Sequence, residues 1–145
     1  MEKTSQSLEQ TQGIAREFVD EELQEKKKRA RIFALVGDLG AGKTTFVQSV
    51  AKELGIQATI ISPTFVIERI YKIPKGPFRH FIHIDAYRLE SGEELKTLGW
   101  ETLINDPHNL IFIEWADRVS EILPHGITEI TFSYTDETTR TITFT

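Results

Sequence analysis

Residues 37–45 read GDLGAGKTT. Gly37, Gly42, Lys43 and Thr44 complete the Walker A spacing, four residues between the glycines and then Lys-Thr, and each residue type suits one task in holding a polyphosphate. The glycines let the backbone curl. The amides of Asp38, Leu39, Gly40, Ala41, Gly42, Lys43, Thr44 and Thr45 then converge on phosphate oxygens at a helix N-terminus, where the dipole favours anions. The Lys43 ammonium would reach the β- and γ-phosphates, and the Thr44 hydroxyl would ligate Mg²⁺. At ordinary residue usage a chain of this length matches the pattern by chance about once in 200.

Mg²⁺ beside a polyphosphate also calls for a carboxylate at the end of a neighbouring buried strand. Leu110-Ile111-Phe112-Ile113 is an all-apolar run that ends on Glu114, which makes Glu114 the metal-side acid, with Glu in place of the more usual Asp. Asp85 is a second acid after an apolar run, Phe81 to Ile84. At a strand end it would position the attacking water or a Mg²⁺-bound water, or else cap and pair beside Tyr87 and Arg88. His83 shares a strand face with Asp85, and a lone strand histidine is more often a packed or hydrogen-bonded residue than a reacting one. Trp115 follows Glu114 as a core residue or as a contact that senses a partner or nucleotide, whereas Trp100 reads as core. Ser62-Pro63-Thr64 fits either a switch loop near the γ-phosphate or a plain turn.

These residues need strands and helices to hold them. Arg31 to Val36 is short, apolar and followed by glycine, a buried strand entering the loop, and the helix from Lys43 stops at Gly55. Upstream, Ser7 and Gln10 have capping-box spacing before an amphipathic helix with Leu8, Thr11, Ile14, Ala15, Phe18, Val19 and Leu23 on one stripe. Lys26 to Arg29 then reads as the solvated C-terminal end of that helix, with an RNA or acidic-protein contact as the alternative. Thr59 to Ser62 and Phe65 to Tyr71 read as strands, the latter turning at Pro74-Lys75-Gly76-Pro77 into a hairpin with Phe78 to Ile84. A helical stretch runs from the Ser91-Glu94 capping box through Leu95, Leu98 and Leu103. After a short helix at Val119 to Leu123, Thr128 to Tyr134 and Arg140 to Thr145 form a closing hairpin. The fold class is α/β, with a parallel core and antiparallel edge strands.

Composition narrows the uses of such a site. The 145 residues fit one domain, residues 1–145, with no room for a second catalytic unit. With no cysteine there is no disulfide framework, thiol nucleophile or Cys-based metal site. No secretory leader or apolar run of about 20 residues occurs, so a cytoplasmic protein without membrane association is expected. The net charge of −5 argues against a dominant nucleic-acid surface. A guanine clamp, Asn-Lys-x-Asp, and an Asp-x-x-Gly switch are both absent, which removes the sequence basis for GTP. A small-molecule kinase of P-loop type stays open, although Arg69, Arg79, Arg88 and Arg118 show no lid-like clustering. An ATPase that drives a protein partner needs little beyond the site itself.

The blocks GDLGAGKTTF, Ser62-Pro63-Thr64-Phe65, His83-Ile84-Asp85-Ala86-Tyr87-Arg88-Leu89, Leu98-Gly99 and Ile113-Glu114-Trp115, in this order, resemble the TsaE family, the ATPase of bacterial tRNA threonylcarbamoyladenosine synthesis. The chain departs from the pattern at Ala116, where the family often has proline, and matches loosely in the N-terminal block around Thr11. The resemblance implies a P-loop NTPase fold with a small mixed sheet and helices on both faces. It also implies ATP and Mg²⁺ as cofactors and association with the TsaB–TsaD pair, with tRNA met indirectly through that complex. Hydrolysis, weak for the protein alone and stimulated by partners, would support turnover rather than the transfer chemistry. Lys43 and the loop amides would hold phosphates, Thr44 and Glu114 would hold Mg²⁺, and Lys43, Asp85, Glu114 and Trp115 would serve hydrolysis.

Overall fold

The computed structural model describes residues 1–38, 41–61 and 67–145. In chain order the elements are β1 (Glu2–Ser5), α1 (Leu8–Glu22), β2 (Arg31–Gly37), α2 (Lys43–Glu53), β3 (Glu68–Lys72), β4 (His80–Asp85), α3 (Gly92–Thr97), α4 (Trp100–Asn105), β5 (Asn109–Glu114), a 3₁₀ segment (Ala116–Ile122), β6 (Thr128–Tyr134) and β7 (Arg140–Phe144). The strands form one sheet in the order β1-β7-β6-β2-β5-β4-β3. Pairing is parallel from β6 through β2 and β5 to β4, and antiparallel at β6–β7, β7–β1 and β4–β3. The parallel core with antiparallel edges is therefore as the sequence implied.

Why these strands lie at the centre follows from their alternation. Phe33, Leu35, Phe81, Leu110 and Phe112 point to the face covered by α1 and α2, while Ile32, Ala34, Ile82, Ile84, Ile111 and Ile113 point to the face covered by α3, α4 and the 3₁₀ segment. One face is thus mainly aromatic and the other aliphatic. On the aromatic side Phe33, Phe112 and Phe81 stack with ring centroids 5.4 and 5.1 Å apart, and Phe18 of α1 meets Phe33 edge-on at 5.0 Å. Such ring pairs add about 0.5–1.5 kcal/mol each beyond area burial, which fixes α1 over the strands that carry the site. Trp100 is fully buried on the opposite face, as its sequence context suggested.

Several expectations are corrected. Residues 59–61 form no strand, and Ser62 lies outside the described residues, as do Pro63, Thr64, Phe65 and Val66. β3 begins at Glu68 rather than Phe65 within what is described. The helical stretch after Ser91 is two short helices, because Gly99 takes φ 90° and breaks it between them. Between β5 and β6 the chain forms a 3₁₀ turn. The N-terminal strand β1 was not foreseen. It exists because β7 leaves an open edge, and Met1 closes it by donating its amino group to Phe144 O at 2.8 Å.

Two more corrections concern α1. Ser7 does cap it, accepting from Gln10 N at 3.1 Å, while the Gln10 side chain accepts from Gln6 N at 2.6 Å. Leu8 is nevertheless exposed. The helix ends at Glu22, before Lys26 to Arg29 begin, and the cation at its last turn is Arg31 of β2, whose Nη1 donates to Glu22 O at 2.5 Å. The basic cluster is a connecting segment, in which Lys26 Nζ approaches His108 Nε2 at 3.1 Å. No described helix is long and apolar enough to cross a membrane.

Candidate functional site

β2, β5 and β4 are adjacent and parallel, so their carboxyl ends share one edge of the sheet. Leu35 registers with Glu114, and Glu114 with Asp85. Gly37 follows at the end of β2, and α2 starts six residues later. The turn between them is tight at Asp38, whose carbonyl accepts from Ala41 N at 3.0 Å, and Gly42 caps α2 with φ 105°, a conformation that favours glycine. Leu39 and Gly40 lie outside the described residues.

Gly37 has a reason that involves no phosphate. A Cβ built there would sit 2.5 Å from the backbone oxygen of Phe132 in β6. The first glycine of the loop is thus demanded by the neighbouring strand, whereas Gly42 is demanded by the turn into the helix.

Lys43, on the first turn of α2, folds back over the loop. Its Nζ donates to Gly37 O at 2.6 Å and lies 3.6 Å from Glu114 Oε1. The other carboxylate oxygen, Oε2, is 2.8 Å from Nε2 of His83, which is fully buried. Glu114 therefore has a separate basic partner for each oxygen. Burial pushes its pKa up, but the hydrogen bond and charge of His83 and the ammonium of Lys43 outweigh that and hold it below the usual glutamate range. The carboxylate is consequently ionised at neutral pH in spite of its setting.

Asp85 is buried one strand away, and its Oδ1 accepts from Tyr87 N at 2.9 Å. Its own amide donates to Ile67 O at 2.7 Å, and the next amide, Ala86 N, donates to Glu114 O at 2.9 Å, so the two acidic strand ends are tied by backbone. Thr44 is exposed and Thr45 half-buried in the same helical turn as Lys43. Asp38 is exposed and Ala41 fully buried.

Trp115 is exposed, which decides against a core role. Its backbone is left-handed, φ 59° and ψ 40°, a conformation few tryptophans adopt. That turn throws the indole over the mouth of the loop, where its ring centroid lies 5.9 Å from Lys43 Nζ and 5.0 Å from the ring of Tyr87. Arg118 lies over both rings, with its guanidinium carbon 5.1 Å from Tyr87 and 5.7 Å from Trp115. Tyr87 and Arg118 were not singled out as site residues from the sequence. Their only signal was position, two residues after Asp85 and four after Glu114.

His83 was read as a packed or hydrogen-bonded strand residue, and it is buried with its Nε2 against Glu114. Thr11, in the loosely matching N-terminal block, is buried, with its hydroxyl 2.7 Å from that of Ser5, so it joins α1 to β1. Among the described residues no group of three His, Cys, Asp or Glu side chains is placed to hold a metal by itself. The donor set suits Mg²⁺ all the same, since that ion takes one or two carboxylates and completes its shell with phosphate oxygens and water. Glu114 and Thr44 offer one carboxylate and one hydroxyl.

Comparison with known proteins bears on this arrangement. The profile of the family described as "Threonylcarbamoyl adenosine biosynthesis protein TsaE" matches residues 5–142. The tRNA threonylcarbamoyladenosine biosynthesis protein TsaE of Rickettsia prowazekii (strain Madrid E) is 37% identical over 138 residues, covering 94% of this chain and 89% of that protein. The protein of the same name from Bacillus subtilis (strain 168) is 36% identical over 118 residues, covering 81% and 71%. The crystal structure of Bacillus subtilis YdiB superimposes with a TM-score of 0.76 at 28% identity, over 99% of this chain and 83% of that one, which confirms the P-loop fold. A loop lysine facing a strand-end glutamate, on a chain matched to one family nearly from end to end, thus belongs to the TsaE family of tRNA threonylcarbamoyladenosine biosynthesis proteins.

Proposed function

We propose that residues 1–145 form a single P-loop ATPase domain, and that this protein hydrolyses ATP to support turnover of a TsaB–TsaD transferase complex acting on tRNA. The observation that carries the reading is the meeting of Lys43 and Glu114, 3.6 Å apart at the carboxyl edge of three parallel strands. A lysine from a glycine loop and an ionised carboxylate from a buried strand are the two protein charges that phosphoryl transfer to water requires.

In this reading the amides from Asp38 to Thr45 and the Lys43 ammonium bind the phosphates. Lys43 exchanges its contact with Gly37 O for phosphate oxygens. Glu114 and Thr44 hold Mg²⁺, which when bound neutralises charge that develops on the β- and γ-phosphate oxygens. Asp85, buried beside Glu114, orients the attacking water. Trp115 covers the mouth of the loop, with its indole between Lys43 and the solvent-exposed pair Tyr87 and Arg118. Because those exposed groups reach the site through Trp115, a partner seated on them is able to alter it. That supports weak hydrolysis alone and faster hydrolysis in the complex.

The test is ADP release, measured first for the protein alone and then with TsaB–TsaD and tRNA added stepwise. The reading predicts a rise on adding the partners. Unchanged ADP release would contradict it, and phosphorylation of a metabolite without any protein partner would favour the small-molecule kinase instead.

A further inference from the structure

His83 is fully buried in β4 and, among the described residues, makes one hydrogen bond, from Nε2 to Glu114 Oε2 at 2.8 Å, and leaves Nδ1 buried without a hydrogen-bond partner. An imidazole with one dry nitrogen is a weak structural investment, since a buried polar atom without a partner costs free energy that an apolar residue would not. The bonding pattern fixes which way that hydrogen bond runs. An ionised carboxylate only accepts, so Nε2 carries the hydrogen and donates it to Glu114 Oε2.

That donor occupies one oxygen of Glu114 and leaves the other, Oε1, on the side of Lys43. Without it, the carboxylate would be free to rotate and turn both oxygens toward the ammonium. We infer that His83 is a positioning residue: its hydrogen bond fixes the Glu114 carboxylate so that one oxygen remains directed at the cation side of the phosphate loop. The arrangement matches the way outer-shell hydrogen bonds orient metal-binding carboxylates, whose loss costs roughly 10–100-fold in metal affinity. His83 touches neither nucleotide nor metal and acts through Glu114 alone.

The inference rests on reading the site as a Mg²⁺–nucleotide centre, and it is tested by binding rather than turnover. Affinity for a non-hydrolysable ATP analogue is measured by calorimetry in EDTA and in saturating MgCl₂, and the ratio of the two is compared among variants. His83→Gln places an amide donor near the position of Nε2, His83→Asn places it near Nδ1, out of reach of Glu114, and His83→Leu removes it. We expect Leu and Asn to reduce the Mg²⁺-dependent gain in affinity roughly tenfold or more, with affinity in EDTA unchanged, and Gln to restore most of the gain. In a Glu114→Gln background, His83→Leu should have no additional effect on the ratio.

A wild-type ratio in both Leu and Asn variants would overturn the role, as would equal loss in EDTA and in Mg²⁺. Should His83→Leu fail to fold, the polar pair Asn and Gln decides the matter alone, and equal ratios in those two would also overturn it. A wild-type protein that binds Mg²⁺ and nucleotide but never hydrolyses ATP would defeat the ATPase reading and leave this role standing.

Discussion

Lys43 Nζ lies 3.6 Å from Glu114 Oε1, and the two residues come from elements 71 positions apart in the chain. Their approach is a product of the sheet, in which β5 pairs with β2 so that the strand end carrying Glu114 stands beside the loop carrying Lys43. Replacing Lys43 with Ala, or Glu114 with Ala, should lower partner-stimulated ATP hydrolysis by about 100-fold or more, the scale on which single charge-stabilising groups contribute. Circular dichroism would show both variants folded. Full activity in either one would remove that residue from the site.

Gly37 is held by β6, so its replacement should be felt in stability before function. The Cβ of Gly37→Ala meets the Phe132 carbonyl oxygen, which is part of the sheet backbone and cannot turn aside. Urea unfolding should show a loss of about 2 kcal/mol. Unchanged stability would mean that β2 and β6 separate there without cost.

Trp115 offers a way to divide strain from function. Its left-handed backbone disfavours any side chain, so Trp115→Gly should be about 1 kcal/mol more stable than Trp115→Ala. Both variants lose the ring that joins Lys43 to Tyr87 and Arg118, and both should lose the response of ATP hydrolysis to partners. Equal unfolding midpoints for Gly and Ala would contradict the conformational argument.

Glu68, at the start of β3, has one carboxylate oxygen buried without a hydrogen bond among the described residues, and burial raises its pKa. A raised folded-state pKa means that ionising this group at neutral pH weakens the fold, and the penalty fades as pH falls below the folded value toward the unfolded one, roughly 4.3. Glu68→Gln should therefore be more stable than the parent at neutral pH, with the difference closing by about pH 4. A difference that widened on acidification would reverse the sign and refute the assignment.

The residues of the candidate site were easier to single out in the sequence than the edges of the sheet around them. Local patterns announce a glycine loop or an apolar run ending in an acid, because each is dictated by neighbours in the chain. β1 gave no such signal. Its four residues lack an apolar alternation and become a strand only by pairing with β7, at the far end of the chain. The same holds for His83. Its value as a partner of Glu114 depends on β4 and β5 lying side by side, which no local spacing reveals. Thr59 to Ile61 failed in the opposite direction, β-branched residues with no neighbouring strand among the described residues, so propensity had nothing to pair with there. At Arg31 a long-range contact displaced a local expectation, the cation for the end of α1 coming from β2 rather than from the adjacent basic run.

The most direct measurement is threonylcarbamoyl transfer to tRNA by the reconstituted complex, followed through the first turnover and then through many. If ATP hydrolysis at the Lys43–Glu114 centre serves turnover, a complex containing Lys43→Ala will complete the first transfer near the wild-type rate and then stop. Sustained multiple turnover with Lys43→Ala, or loss of the first turnover itself, would contradict the account.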